Sequence, residues 1–130
     1  MLVGDESAID VVLWVDKRKC WGDLYLTPEA LYFVCYVDQG PLGKATPALV
    51  ARAPVRASLL GRPLEEAVAL HQHSRRFAIS DVKEFKKAFW SGQTFTAGGT
   101  TYRFEQGPGG KERERLRAWC GEHGIRCAGF

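Results

Sequence analysis

Residues 22–37, Gly22-Asp-Leu-Tyr-Leu-Thr-Pro-Glu-Ala-Leu-Tyr-Phe-Val-Cys-Tyr-Val37, carry the reading of the fold. From Gly22 to Thr27 the pattern has a period of two, with Leu24 and Leu26 on one face and Asp23 and Tyr25 on the other, which predicts a strand. Pro28-Glu29 is a turn, because proline presets φ at the first central turn position. Ala30–Val37 is then aromatic and β-branched throughout, as a strand requires.

Upstream, Ile9-Asp-Val-Val-Leu-Trp-Val15 is a further β-rich apolar run, broken by Asp16-Lys-Arg-Lys19. Three strands joined by short links form a meander. Downstream, residues 38–63 contain Pro41, Pro47, Pro54 and Pro63 with no stable period, and read as a long loop. Leu64, Ala67, Val68 and His71 fall near helical spacing, so a helix is predicted over 63–73 with Pro63 in its first turn. Loop and helix together make an insertion over 38–74.

Strand patterns return at 75–80 and 82–90. Ser91-Gly92 and Gly98-Gly99 punctuate two more, at 93–97 and 100–105. After Gly107-Pro-Gly-Gly110 the period changes. Leu116, Trp119, Cys120 and His123 follow i, i+3, i+4, i+7, the inward stripe of an amphipathic helix over 111–123, with Gly124 placed to cap it. The expectation is a single domain over 1–130, mainly β with an α+β arrangement. It is a small antiparallel barrel of about seven strands, capped by the C-terminal helix, with a helix inserted between the third and fourth strands.

A chain of 130 residues with 45% hydrophobic and 25% charged content excludes disordered and fibrous classes. No apolar run reaches spanning length, and MLVGDESAID lacks the basic and apolar regions of a secretory signal, so a cytoplasmic location is expected. The cysteines at 20, 35, 120 and 127 form no Cys-x-x-Cys pair. Cys35 and Cys120 read as small core residues, and neither disulfides nor zinc are expected. His71-x-His73 would lie about 200° apart on a helix and could share an ion only if the helix had ended. No catalytic residues, metal ligands or cofactor site are predicted.

The charge is uneven. Residues 1–50 carry four Lys/Arg against seven Asp/Glu, and residues 51–130 carry fourteen against eight. Lys17-Arg18-Lys19, in the turn between the first two strands with Trp21 beside it, is the candidate ligand site: three cations for an anionic headgroup and an indole for the interface. Arg75, Arg76, Lys83, Lys86 and Lys87, interleaved with Phe77, Phe85, Phe89 and Trp90, allow a nucleic-acid reading. Against it, Phe85 and Phe89 share a face with Lys87, and aromatics in a small barrel belong to the core.

The hairpin Gly22–Phe33 resembles the "G-x-Leu-x-Leu-Thr…Leu-x-Phe" segment of the GRAM and bacterial branches of the pleckstrin-homology (PH) superfold. Phe77-Ala-Ile-Ser-Asp-Val82 is similar to the strand those branches carry before an Asp-Ile or Asp-Val step. Trp119 matches the tryptophan that PH domains plug into one barrel end. The resemblance covers about 22–37 and 75–123. It implies a non-enzymatic binding or adaptor module, engaging a protein or peptide partner or an anionic membrane lipid, with homo-oligomers possible in kind. It also implies phosphate-gripping cations in the first turn, although the second strand offers Asp23 and Tyr25 where lipid-binding PH domains carry a basic pair. Two other readings follow from the residues: a small-ligand carrier or enzyme with a cavity under the inserted helix, and a weak nucleic-acid binder.

Overall fold

The computed structural model describes residues 1–39 and 45–130, without the side chains of 45–51. The strands are β1 (Ile9–Val15), β2 (Arg18–Leu26), β3 (Ala30–Gln39), β4 (Arg75–Ala78), β5 (Val82–Ala88), β6 (Gly92–Ala97), β7 (Thr100–Glu105) and β8 (Arg126–Ala128). The helices are α1 (Ala45–Leu59), α2 (Leu64–Ala69) and α3 (Gly110–Glu122). The strands form one mixed sheet in the order β4-β3-β2-β1-β7-β6-β5-β8.

Two antiparallel meanders meet at a narrow seam. In one, β1 lies on β2, β2 on β3 and β3 on β4. In the other, β5 lies on β6 and β6 on β7. The β1–β7 ladder that joins them pairs Val12 with Glu105 and Leu13 with Phe104.

The predicted closed barrel is corrected to an open, curled sheet. After α3 the chain adds β8, a strand the sequence pattern did not disclose, and β8 pairs in parallel with β5. That occupies the edge of β5 which β4 would have needed to close the ring. The curl still brings the two meanders together through side chains. Phe77 of β4 packs edge-on against Phe95 of β6 and Tyr102 of β7, at ring separations of 5.3 and 5.0 Å.

Alternation along the strands builds two cores. The inner one holds Leu13, Leu24, Phe33, Phe85, Phe95 and Phe104, and α3 inserts Leu116, Trp119 and Cys120 into it. Glu112 in the first turn of α3 accepts the Gly109 N–H at 3.0 Å. Gly124 ends the helix at φ +66°, and the Ile125 N–H returns to the Cys120 carbonyl at 2.8 Å. The outer core holds Tyr25, Tyr32, Val34 and Tyr36 on the opposite face of β2 and β3, covered by Leu59 of α1 and by Leu64 and Ala67 of α2. Tyr25 and Asp23 are therefore as buried as Leu24.

The predicted loop over 38–63 also needs correction: residues 40–44 lie outside the described residues, and 45–59 form α1. Its described inward stripe is Arg52, Val55, Arg56 and Leu59, spaced i, i+3, i+4, i+7. Half of that stripe is arginine, so no apolar period could reveal it. The arginines bind the sheet: Arg56 Nε lies 3.1 Å from Asp23, and an Arg52 amino group lies 2.7 Å from Asp10. Tyr36 also donates to Asp23, at 2.7 Å. The predicted helix over 63–73 shortens to α2, capped by Pro63 and ending before His71.

Candidate binding surfaces

The β1–β2 turn has two residues with positive φ, Asp16 at 51° and Lys17 at 64°, the backbone of a tight hairpin turn. Asp16 is held from the start of β4 and the segment before it, with an Arg75 amino group at 2.7 Å and His73 Nδ1 at 3.3 Å. The turn leaves Lys17 exposed. Its neighbours are engaged elsewhere. Arg18 is ion-paired to Asp38. Lys19 lies 3.9 Å from Glu105 and sits above the rings of Trp14 and Trp21. Trp21 is only 1% exposed, packed with Val12 and Val37. An indole so covered does not reach an interface, so the structure does not assemble Lys17, Arg18, Lys19 and Trp21 into one ligand-facing site.

Beside this turn lies a cluster the sequence pattern left scattered. His71 Nε2 is 3.1 Å from Asp38 Oδ2 and 3.8 Å from Cys35 Sγ, while His71 Nδ1 accepts the His73 N–H at 3.0 Å. Because α2 has ended, both rings turn towards Asp38. Even so, among the described residues no group of three or more His, Cys, Asp or Glu is arranged to hold a metal ion. The Cys35 thiol is held far above the usual range by its contact with the Cys20 thiol and by burial, which keeps it protonated. In the same way burial pushes Cys120 up to about 12. Neither is a ready nucleophile.

Burial holds the His71 imidazole below its ordinary value, outweighing the pull of Asp38. With Nδ1 accepting a hydrogen bond, the neutral ring carries its proton on Nε2, towards Asp38. Below a pH of roughly 6.5 the unfolded chain takes up a proton that the folded ring resists, so stability present at neutral pH is lost as pH falls towards the depressed value. The melting temperature should drop as pH falls from neutrality through about 6.5 and below, and less steeply in His71→Gln. Equal slopes in the two proteins would assign the acid sensitivity to other groups.

The cavity expected under the inserted helix is an open groove of about 460 Å³ at the start of α2. Two of its lining groups are engaged with each other, Tyr32 bonding to Glu65, and Arg76 Nε reaches both from beside the groove, at 3.3 and 3.1 Å. The basic stripe that nucleic acid would need is interrupted, since Asp16 engages Arg75 and Glu65 engages Arg76. Lys83 folds back onto the Ser80 carbonyl at 2.8 Å.

The other end of the sheet differs. Phe85 is fully buried, but Phe89 and Trp90, expected in the core with it, are 90% and 92% exposed at the β5–β6 turn. The strand ends at Ala88, so the period of two that placed Phe89 inward no longer applies. Behind this tip a groove of about 430 Å³ runs between Lys87, Gln93, Arg103, Arg113 and the backbone of 106–109. Gln93 Nε2 donates to the Gly107 carbonyl at 2.7 Å, fixing the loop that forms its far wall. Lys86, Lys87 and Arg113 make no ion pair among the described residues. Arg103 lies 3.3 Å from Glu105.

Comparison of the chain with protein-family models, with curated proteins and with solved structures found no match. No helix among the described residues is long and apolar enough to cross a membrane.

Proposed function

We propose that this chain is a non-enzymatic binding module of PH-like type whose partner is an anionic membrane surface. The meander, the terminal helix and the entry of Trp119 into the core support the PH-like half, since they are the elements the resemblance implies. The partner rests on one observation: Lys87 and Arg113 line the groove behind the β5–β6 turn, Lys86 stands exposed on the other face of β5, and none of the three makes an ion pair among the described residues. Of the first-turn cations, by contrast, Arg18 and Lys19 are already engaged by Asp38 and Glu105, which leaves Lys17 alone exposed at the turn.

A cation near an anionic leaflet contributes about 1 kcal/mol and is screened by salt. Sedimentation with phosphatidylserine-containing vesicles should therefore give binding that weakens as salt rises and is absent on neutral vesicles. Lys86→Glu/Lys87→Glu should lower the partition coefficient by about 30-fold or more, since two lost attractions alone amount to that and two added repulsions increase it. Binding to neutral and anionic vesicles alike, or none to either, would retire the reading.

The open sheet favours a second reading. The outer edge of β4 has no strand partner among the described residues, and an extended peptide could add to it. Backbone amide shifts confined to 75–78 on peptide addition would favour that partner.

A further inference from the structure

The exposed aromatic pair is unlike the rest of the molecule. Trp21 and Trp119 are buried, and Trp14 is partly covered, whereas Phe89 and Trp90 stand almost wholly in water. The turn itself does not need them: Gly92 at φ +71° supplies the reversal, and any polar residues could occupy 89 and 90. The two rings pack edge to face, with centroids 4.9 Å apart, and so form one wedge. The wedge sits on a stiff base, because β5 is paired on one side by β6 and on the other by β8. Little conformational freedom is then left to lose when the tip meets a partner.

We propose that Phe89 and Trp90 form an interfacial anchor that enters the headgroup layer of an anionic bilayer while Lys86 and Lys87 engage the lipid phosphates around it. This rests on the membrane reading above and places its point of entry. Aromatic rings of amphipathic shape settle at the headgroup level, and flanking lysines extend their ammonium groups outward to the charged layer. The chemistry here is sorted in that way, with aromatics at the apex and unpaired cations immediately behind. An aromatic pair with flanking cations is a peripheral, reversible kind of anchor, marginal beside a span.

The test uses vesicles of phosphatidylcholine with a minority of phosphatidylserine, the phosphatidylcholine carrying bromine on its acyl chains to quench nearby indoles. Wild type should bind and its tryptophan emission should be quenched. Trp90→Phe keeps the wedge and should bind within about twofold, but most of the quenching should vanish. Phe89→Ser/Trp90→Ser should bind about tenfold more weakly or worse. Both side chains lie in solvent, so its melting temperature should match wild type and a folding defect would be seen separately. Undiminished binding by the double serine variant, or quenching that persists in Trp90→Phe, overturns the anchor and leaves the electrostatic membrane reading standing. Failure of wild type to bind at low salt overturns both. A wild-type dimer in sedimentation equilibrium that the serine variant converts to monomer would overturn the anchor and assign the wedge to a second copy of the chain.

Discussion

Replacing Trp119 with alanine is expected to destabilise the protein by about 3–5 kcal/mol, and so to lower the melting temperature by roughly 10 °C or more. The indole is 6% exposed within the inner core and meets Phe85 edge-on at 6.3 Å. Its Nε1–H also donates to the Thr27 carbonyl at 2.8 Å, tying α3 to the β2–β3 turn. Alanine removes the ring volume and that bond together. Trp119→Phe separates the two: most of the volume stays, the carbonyl loses its donor, and the loss should be about 1–2 kcal/mol. Thermal melts of the three proteins decide the matter. An alanine variant melting within a few degrees of wild type would show that α3 does not hold the core closed.

Gly22→Ala is expected to cost about 3 kcal/mol or more, at the upper end of overpacking changes. A Cβ at Gly22 would lie 2.1 Å from the Val34 carbonyl oxygen and 2.9 Å from the Phe33 ring. The first obstacle is main chain in the centre of the sheet, beside the register shift between Trp21 and Gly22, and it cannot swing aside. Gly121→Ala makes the contrast. That glycine is exposed on α3 with nothing within 4 Å of its missing Cβ, and the substitution should stabilise by up to about 1 kcal/mol. Chemical denaturation of both variants reads the two signs. A neutral Gly22→Ala would mean that β2 and β3 can part locally without loss.

Strands β1 to β7 and α3 were legible because their burial is written in apolar residues at regular intervals. Leu24, Phe33, Phe104, Leu116 and Trp119 all stand where a period of 2 or 3.6 places them. α1 was not, because Arg52 and Arg56 occupy half of its described inward stripe and because Pro54 stands inside it. Proline within a helix removes a backbone donor, so a sequence reading treats it as a breaker. β8 was equally hidden: three residues carry no period, and its parallel partner lies across a helix in the chain. The first-turn cations were legible as charge but not as ion pairs, since Asp38 and Glu105 reach Arg18 and Lys19 only through the fold. Phe89 and Trp90 were visible as aromatics. Their exposure depends on the strand ending at Ala88, two residues before the predicted limit, and no local signal fixes that boundary.

The seam between the two meanders has a consequence for the order in which the molecule assembles. β1–β2–β3 and β5–β6–β7 are joined by short turns, so pairing within each can spread from local hairpins at small entropic expense, and only β4 joins its neighbour across the helical insertion. The β1–β7 ladder offers two residue pairs for closing most of the chain into one loop, and Trp119 meets Thr27 across a separation of 92 residues. Long-range contacts of this kind form late and slow the reaction. On this topology the two halves are expected to acquire structure as separate strand stacks, with docking of α3 fusing them late. Substitutions at the seam will accordingly speed unfolding more than they slow folding.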